Sequence, residues 1–262
     1  MKKRSETLNV HALANTGLSR TYVIEGRDSL MAVDVGSIGS AKDVEDYIHN
    51  CLGRNLDDLR FVTATHFHID HIGGMGYLIK RCPQTTQALF HNRVRDYLSG
   101  REKISLIKNW FSGFMPASIA STRYIRRISH LAFMNLAGIP LPGFRNIVNL
   151  PCVKEKITYF GVNGLRRYKL GFEQWDVIET PGHTEDSVSF FHDKTRELIC
   201  GDLVVNIPKE GHGTLNRFHW RGDVIKESFQ YLHDSINPVV IYPGHGDIIR
   251  NEDNALMGVE TF

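Results

Sequence analysis

The sequence predicts an α/β fold, on three observations. Strand-like and helix-like stretches alternate near both ends of the chain, bounded by Gly, Pro, Asn and Asp turns. A chain of 262 residues is long enough to bury a sizeable core in one large sandwich, so a single domain over 1–262 is expected. No run approaches eighteen apolar residues, so no transmembrane helix is expected.

The elements follow in order. Residues 22–26 and 30–35 read as a hairpin around Gly26-Arg27-Asp28. Residues 41–52 read as an amphipathic helix with Val44, Tyr47 and Ile48 on one face. The apolar run 59–64 is strand-like, 76–81 should be helical, and 87–90 should be a strand. Further on, 166–170 and 175–178 read as paired strands, and 188–192 and 197–200 pair across Asp193-Lys194. Residues 223–237 read as a helix carrying Ile225, Phe229, Leu232 and Ile236. The four cysteines show no C-x-x-C pair and no disulfide spacing, which fits free thiols in a reducing, cytoplasmic setting. Met1-Lys2-Lys3-Arg4 starts like a signal peptide, but no apolar run follows it, so no leader is expected.

The chemistry concentrates in Thr65-His66-Phe67-His68-Ile69-Asp70-His71-Ile72-Gly73-Gly74. Four potential metal ligands fall within six positions, just after a strand. His66 and His68, two apart, point the same way on extended chain. Imidazole with carboxylate suits zinc and similar divalent first-row metals. The spacing looks like half of a two-metal site, whose main use is to generate hydroxide from water at neutral pH. Three further segments have matching chemistry: His183 on a Pro-Gly turn after a strand, Asp202 at the end of 197–200, and His245 on a second Pro-Gly turn after the buried run 239–242. Each stands at a strand end, where a sheet holds it still and a Gly lets backbone approach. Any one of these segments could be an ordinary turn; together, in this order, they leave chance a poor explanation.

The set THFHIDH, His183, Asp202 and His245 resembles the metallo-β-lactamase superfamily, in the branch containing glyoxalase II, over about residues 8–90 and 152–250. The resemblance implies a four-layer αββα sandwich of two similar halves with the metals at one edge. It implies that His66, His68 and His183 hold one ion, that Asp70, His71 and His245 hold the other, and that Asp202 bridges both. Asp34 matches a strand-end Asp lying behind the ligands, where it would orient one by hydrogen bond; as a plain residue it reads equally as a turn cap before Gly36. Redox di-iron relatives usually carry an acidic residue where this chain has His68, which favours hydrolysis. Some zinc β-lactamases place a metal-binding Cys at the position of Asp202; Cys200, two residues earlier, reads as a small apolar strand residue. The chain ends 17 residues after His245, without the helical extension that holds glutathione in glyoxalase II. The segment after Asp202 has no Tyr, unlike many quorum-signal lactonases. The general hydrolase branch is therefore the better match.

Residues 91–150 depart from the pattern. They hold nine Lys or Arg (Arg93, Arg95, Arg101, Lys103, Lys108, Arg123, Arg126, Arg127 and Arg145) against Asp96 and Glu102. The local excess is +7 in a chain of net charge +2, leaving −5 elsewhere. Large apolar residues are interleaved, and 98–111 and 118–137 read as two helices broken near Gly113 and Pro116. Three roles stay open for this insert: a basic, apolar lid over the metal cleft, scaffold, or a contact for a second copy or a membrane surface.

These features predict a hydrolase with two divalent ions, zinc first and iron or manganese as substitutes. A bridging hydroxide would attack a carboxylic ester, thioester or lactone of a small acyl substrate, with Asp70 and Asp202 orienting it and passing a proton to the leaving group. Trp110, Phe111, Phe114 and His212 are candidate substrate contacts; His212 and His219, in the loop after Asp202, could touch substrate but read first as surface histidines. The alternative is a phosphodiesterase on nucleic acid or a small phosphodiester, which the +7 insert favours and the lack of a recognisable nucleic-acid module disfavours. A non-enzymatic binding protein is the third reading, against which all seven ligand positions are intact.

Overall fold

The computed structural model describes residues 9–107, 121–136, 138–139, 141, 143–144, 146–161, 164–207 and 211–262. Two six-stranded sheets stack face to face. The first runs β1 (Asn9–Ala12), β2 (Tyr22–Glu25), β3 (Leu30–Val33), β4 (Leu59–Thr63), β5 (Gln87–His91) and β6 (Ile157–Phe160), adjacent in that order. The second contains β7 (Arg167–Lys169), β8 (Trp175–Glu179), β9 (Val188–His192), β10 (Glu197–Gly201), β13 (Val240–Pro243) and β14 (Ile249–Arg250). A small ribbon, β11 (Val204–Val205) with β12 (Thr214–Leu215), lies outside both sheets. Each main sheet begins as an antiparallel meander and then adds a parallel strand across a helix. In the first sheet that crossover is α1 (Ile38–Asn50), between β3 and β4; in the second it is α5 (Gly222–Tyr231), between β10 and β13. This repetition gives the two similar halves.

The layers follow from strands buried on both faces. Tyr22, Ile24, Met31 and Val33 meet Trp175, Val177, Phe190, Ile199 and Tyr242 between the sheets. Their strand neighbours Val23, Leu30 and Ala32 face the helical layer of α1 and α3 (Met75–Arg81), which supplies Val44, Ile48, Leu78 and Ile79. On the far side, Ile178, Phe191, Leu198 and Ile241 pack under Ile225 and Phe229 of α5. Period-two alternation thus sorts apolar residues into a central core and two outer ones, the αββα order.

Element boundaries moved where local caps decide them. The first long helix starts at Ile38 because the Ser37 hydroxyl accepts the Ser40 N–H at 3.0 Å. The 223–237 helix is α-helical to Tyr231 and finishes in a π turn, Leu232–Ile236, ended by Asn237 at φ 50°. No helix among the described residues is long and apolar enough to cross a membrane.

The two helices expected in the insert are a correction. Instead α4 (Asn92–Ser99) stops at Gly100, whose left-handed φ of 73° ends it, and residues 100–107 are not helical. Ser121 is helical, but over 122–136 only two 3-10 turns form, Thr122–Tyr124 and Ile128–Leu131. Backbone bonds to other elements replace the helical ladder: Ile38 N–H to the Ala132 carbonyl at 2.8 Å, and the Met134 and Asn135 N–H groups to the Gly73 carbonyl at 2.7 and 3.1 Å. His130, buried, donates from Nε2 to Asp43 of α1 at 2.8 Å and accepts the Arg126 N–H on Nδ1. Apolar spacing favours a helix there, but these tertiary bonds override it. Residues 108–120 lie outside the described residues, and with them Trp110, Phe111 and Phe114.

The central core should dominate stability. Phe190→Ala is expected to cost about 3–5 kcal/mol, and Ile128→Ser, at an 89 % exposed position, no more than about 0.5 kcal/mol. Denaturant melts of the two variants check this contrast.

Candidate metal centre

The seven side chains singled out by the sequence converge at one edge of the sandwich, where β3, β4, β8, β10 and β13 end. His66 and His68 follow β4; Asp70 and His71 lie on the single turn α2 (Ile69–Ile72). His183 follows β8, Asp202 follows β10, and His245 follows β13. Cross-sheet backbone bonds lock this edge. Val188 N–H donates to the Thr65 carbonyl at 2.8 Å, and Arg20 N–H to the Gly244 carbonyl at 2.7 Å. Within the second sheet, Gly244 N–H donates to the Gly201 carbonyl, also at 2.8 Å. Two glycines permit the approach: a Cβ at Gly244 would stand 2.2 Å from Asp202 Oδ1, and one at Gly201 would stand 2.4 Å from Thr65 Oγ1.

Three groupings emerge whose potential donor atoms lie within 4.8 Å of one another: His66, His68 and His183; His66, His71 and Asp202; and Asp70, His71 and His245. His66 Nε2 is 3.0 Å and His183 Nε2 3.2 Å from His68 Nδ1. Asp202 reaches both ends of the cluster. Its Oδ2 is 3.6 Å from His183 Nε2 and 3.3 Å from His245 Nε2, and its Oδ1 is 3.4 Å from His71 Nε2. Asp70 Oδ2 lies 3.3 Å from His245 Nε2 and 3.8 Å from His71 Nε2. Six of the seven are buried; Asp70 retains 21 % exposure and forms the open side.

The outward nitrogens set the tautomers. His183 Nδ1 donates to the Phe218 carbonyl at 2.6 Å, and His245 Nδ1 to the Leu18 carbonyl at 2.8 Å. The Thr65 hydroxyl donates to Asp34 at 2.9 Å, so it accepts from His66 Nδ1 at 3.2 Å. His71 Nδ1 stands 3.1 Å from Asp34 Oδ2, an ion-pair contact outside hydrogen-bond alignment. Asp34 therefore lies directly behind His71, and it also accepts the Thr65 N–H at 2.7 Å. Its φ of 58° is strained for a residue other than Gly. In His66, His71, His183 and His245 alike, Nε2 is left facing inward.

A cation fits this arrangement. Among the described residues, His71 Nε2 and Asp202 Oδ1 are buried without a hydrogen-bond partner. Three imidazole nitrogens face one another at His68 Nδ1, and a single proton there cannot satisfy all of them. An unmet buried polar atom costs ~1–3 kcal/mol, so such orphans gathered at one point mark a missing positive partner. Charge agrees. Burial, reinforced by His71, His68 and His183, holds His66 well below the usual imidazole range; burial and His183 hold His68 down to about 3. Burial likewise lowers His183. These three rings are neutral, with lone pairs available. Burial opposes ionisation of the carboxylates, but His71 and His245 hold Asp70 below the ordinary range, and His245 and His71 do the same for Asp202. Against the same burial, Asp34, Asp70 and Asp202 raise His71, and Asp202 and Asp70 push His245 up to about 10.

The supporting residues were less visible in the sequence. Asn216 donates to the Asp202 carbonyl at 2.9 Å and accepts the Phe218 N–H, which places the carbonyl that holds His183. Buried Asp186 accepts the Phe67 N–H at 2.8 Å and fixes the turn between His66 and His68. Asp186 sits three residues after His183, a usable signal; nothing in the sequence marks Asn216. His212 is exposed beside Gly258 of the C-terminal segment. His219, expected first as a surface histidine, is instead buried and stacks on Phe262 at 5.0 Å. Cys200 is a buried strand residue whose thiol burial pushes up to about 12.

Divalent-ion affinity should fall as pH is lowered, because imidazole binds metal only when neutral. Asp34→Asn should weaken it ~10–100-fold, since it unseats His71 and Thr65 together. Calorimetric titration of metal-free protein measures both; an unchanged affinity in the variant would separate Asp34 from the orientation of these imidazoles.

Comparison with known proteins extends this picture. A family described as the metallo-β-lactamase superfamily matches residues 14–87. Probable metallo-hydrolase YqjP of Bacillus subtilis (strain 168) is 22 % identical over 250 residues, 88 % of this chain and 67 % of the relative. A hydroxyacylglutathione hydrolase of Francisella tularensis subsp. novicida (strain U112) is 33 % identical over 91 residues, 33 % of each protein. Among solved structures, the archaeal metallo-β-lactamase superfamily protein ST1585 from Sulfolobus tokodaii superposes with a TM-score of 0.56 at 18 % identity, covering 93 % of this chain and 82 % of that one.

Proposed function

We propose that the chain is a member of the metallo-β-lactamase superfamily and, on that footing, a metal-dependent hydrolase of carboxylic esters, thioesters or lactones, a reading supported by the family match over residues 14–87 and by the likeness to a probable metallo-hydrolase. The observation that carries the reading is the convergence of seven imidazole and carboxylate side chains with inward atoms left without partners. In this reading His66, His68 and His183 hold one divalent ion and Asp70, His71 and His245 a second, with Asp202 between them. Zinc suits this set, and iron or manganese can substitute. Bound there, two such ions supply a water nucleophile ionised near neutral pH and positive charge for a developing oxyanion.

The protein's own groups do the rest. Asp70, the one cluster member open to solvent, orients the attacking water and carries its proton towards the leaving group. Asp202 shares that orienting role from the buried side. Hydrogen bonds to Phe218 and Leu18 keep His183 and His245 from turning away during turnover. The acyl class is supported by the partial likeness to hydroxyacylglutathione hydrolase and by the apolar residues of the insert, whose Gly138 lies against the Phe67 carbonyl between His66 and His68. Trp110, Phe111 and Phe114 would extend this apolar environment.

A panel of acyl thioesters, lactones and phosphodiesters offered to metal-loaded protein tests the reading. Acyl substrates are expected to be faster, and Asp202→Asn to cut kcat/KM at least ~100-fold. A phosphodiester as the fastest substrate would reassign the reaction to the basic residues of the insert. Full activity in Asp202→Asn would remove Asp202 from the chemistry.

A further inference from the structure

A cavity of about 390 Å³ lies between α5 and the segment 254–262, within the usual size range of a small-molecule site. Leu215, Phe229, Leu256 and Val259, all buried, form its apolar floor. Met257 and Phe262, 65 % and 36 % exposed, stand at its mouth.

The polar side of the cavity is one face of the helix. Lys226, Gln230 and His233 follow one another at helical spacing and all line it. Gln230 and His233 both bond to Asp234, at 2.8 Å each. Lys226 stands at the other end, its Nζ 4.7 Å from the centre of the Phe262 ring, and forms no ion pair among the described residues. No carboxylate lines the cavity. Those at the start of the helix are engaged elsewhere, Asp223 by Arg221 at 3.0 Å and Glu227 by Arg166 at 3.2 Å. Glu260 falls between the lining residues Val259 and Thr261, where alternation turns its side chain to the opposite face. The lining therefore suits an apolar body that carries one anion.

The elements around the cavity also hold His183. Ser228, on the neighbouring face of α5, donates to the Pro181 carbonyl at 2.7 Å, and a Cβ at Gly182 would stand 2.3 Å from Ile225 Cα. The Phe262 ring lies flat on His219, 3° from parallel, one residue after the Phe218 carbonyl that grips His183 Nδ1. Leu215 immediately precedes Asn216, which fixes that carbonyl.

We propose that this cavity is a second ligand site, which takes a small apolar monocarboxylate with its anion at Lys226, and whose filling tightens the hold on His183. An occupant bridges α5 and the segment 254–262, and so steadies Ser228 and His219 together. A ligand and a metal that favour the same arrangement raise each other's affinity. The inference rests on His183 as a metal ligand and not on which bond the metal centre cleaves.

Methyl NMR of the zinc-loaded full chain, labelled at methionine, tests it with hydrocinnamate as the probe. The reporter is the Met257 methyl, identified by its loss in Met257→Leu. The acid is expected to shift that signal with an affinity in the millimolar range or tighter. Hydrocinnamyl alcohol, and separately the acid on Lys226→Gln protein, should bind ~3-fold more weakly, as loss of one exposed charge pair implies. The acid should also raise zinc affinity at least ~5-fold in the native chain, and by less in Lys226→Gln. A Met257 signal unmoved by ~10 mM acid, or equal binding of acid and alcohol, would overturn the site. Met257 shifts with no change in zinc affinity would overturn the link to His183. So would a zinc effect undiminished in Lys226→Gln, which would assign the acid to the metal itself. Native protein that takes up no zinc would sink the metal reading instead, and the Met257 titration would still decide the cavity.

Discussion

Everything at the functional edge depends on one electrostatic constraint: imidazole and carboxylate groups crowded into a buried volume where their own hydrogen bonds cannot satisfy them. Burying one unpaired polar atom already costs a noticeable fraction of a domain's stability. Here His66, His68, His71, His183, Asp202 and His245 are all buried together, with Asp34 fully enclosed behind them. The fold tolerates this because the apolar sandwich is large and continuous through three layers of packing. The inter-sheet core, with Trp175 and Phe190 against Tyr22 and Met31, brings two sets of strand ends to the same edge. Backbone bonds from Thr65 to Val188 and from Gly244 to Arg20 then hold those ends in register.

Function and fold are therefore coupled through rigidity. The inward Nε2 of four histidines is set by what grips the opposite nitrogen: two backbone carbonyls, a threonine hydroxyl and the Asp34 carboxylate. For His66, His183 and His245 such gripping fixes both ring orientation and proton position, and for His71 the Asp34 charge stands behind the ring, which is the preorganisation that a metal site requires. Strain at Asp34, in a left-handed conformation without being glycine, is a local cost of putting its carboxylate behind His71.

The legible parts of the sequence were those written in local code. Alternation along 22–26, 30–35 and 197–200 specifies strands buried on both faces, and these formed as β2, β3 and β10. Histidines and aspartates at strand ends, with Pro-Gly turns beside them, were enough to pick out the seven residues that meet in space. What stayed hidden depends on distant contacts. Residues 122–136 carry helix-like spacing, yet bonds to Gly73, Ile38 and Asp43, all far away in sequence, draw the backbone into 3-10 turns. Asn216 supports both Asp202 and Phe218 through side-chain bonds that no periodicity announces. Phe218 and Leu18 act through carbonyl oxygens, which every residue has, so their side chains give no clue.

The central claim is that the buried cluster is a cation site with room for two ions sharing Asp202. Elemental analysis of chelator-stripped protein, reloaded with zinc and freed of excess, tests it most directly. The account predicts about two ions per chain for the native protein and a loss at both positions in His66→Ala/His71→Ala. Saturation at one ion or none, with the fold intact by circular dichroism, would contradict it.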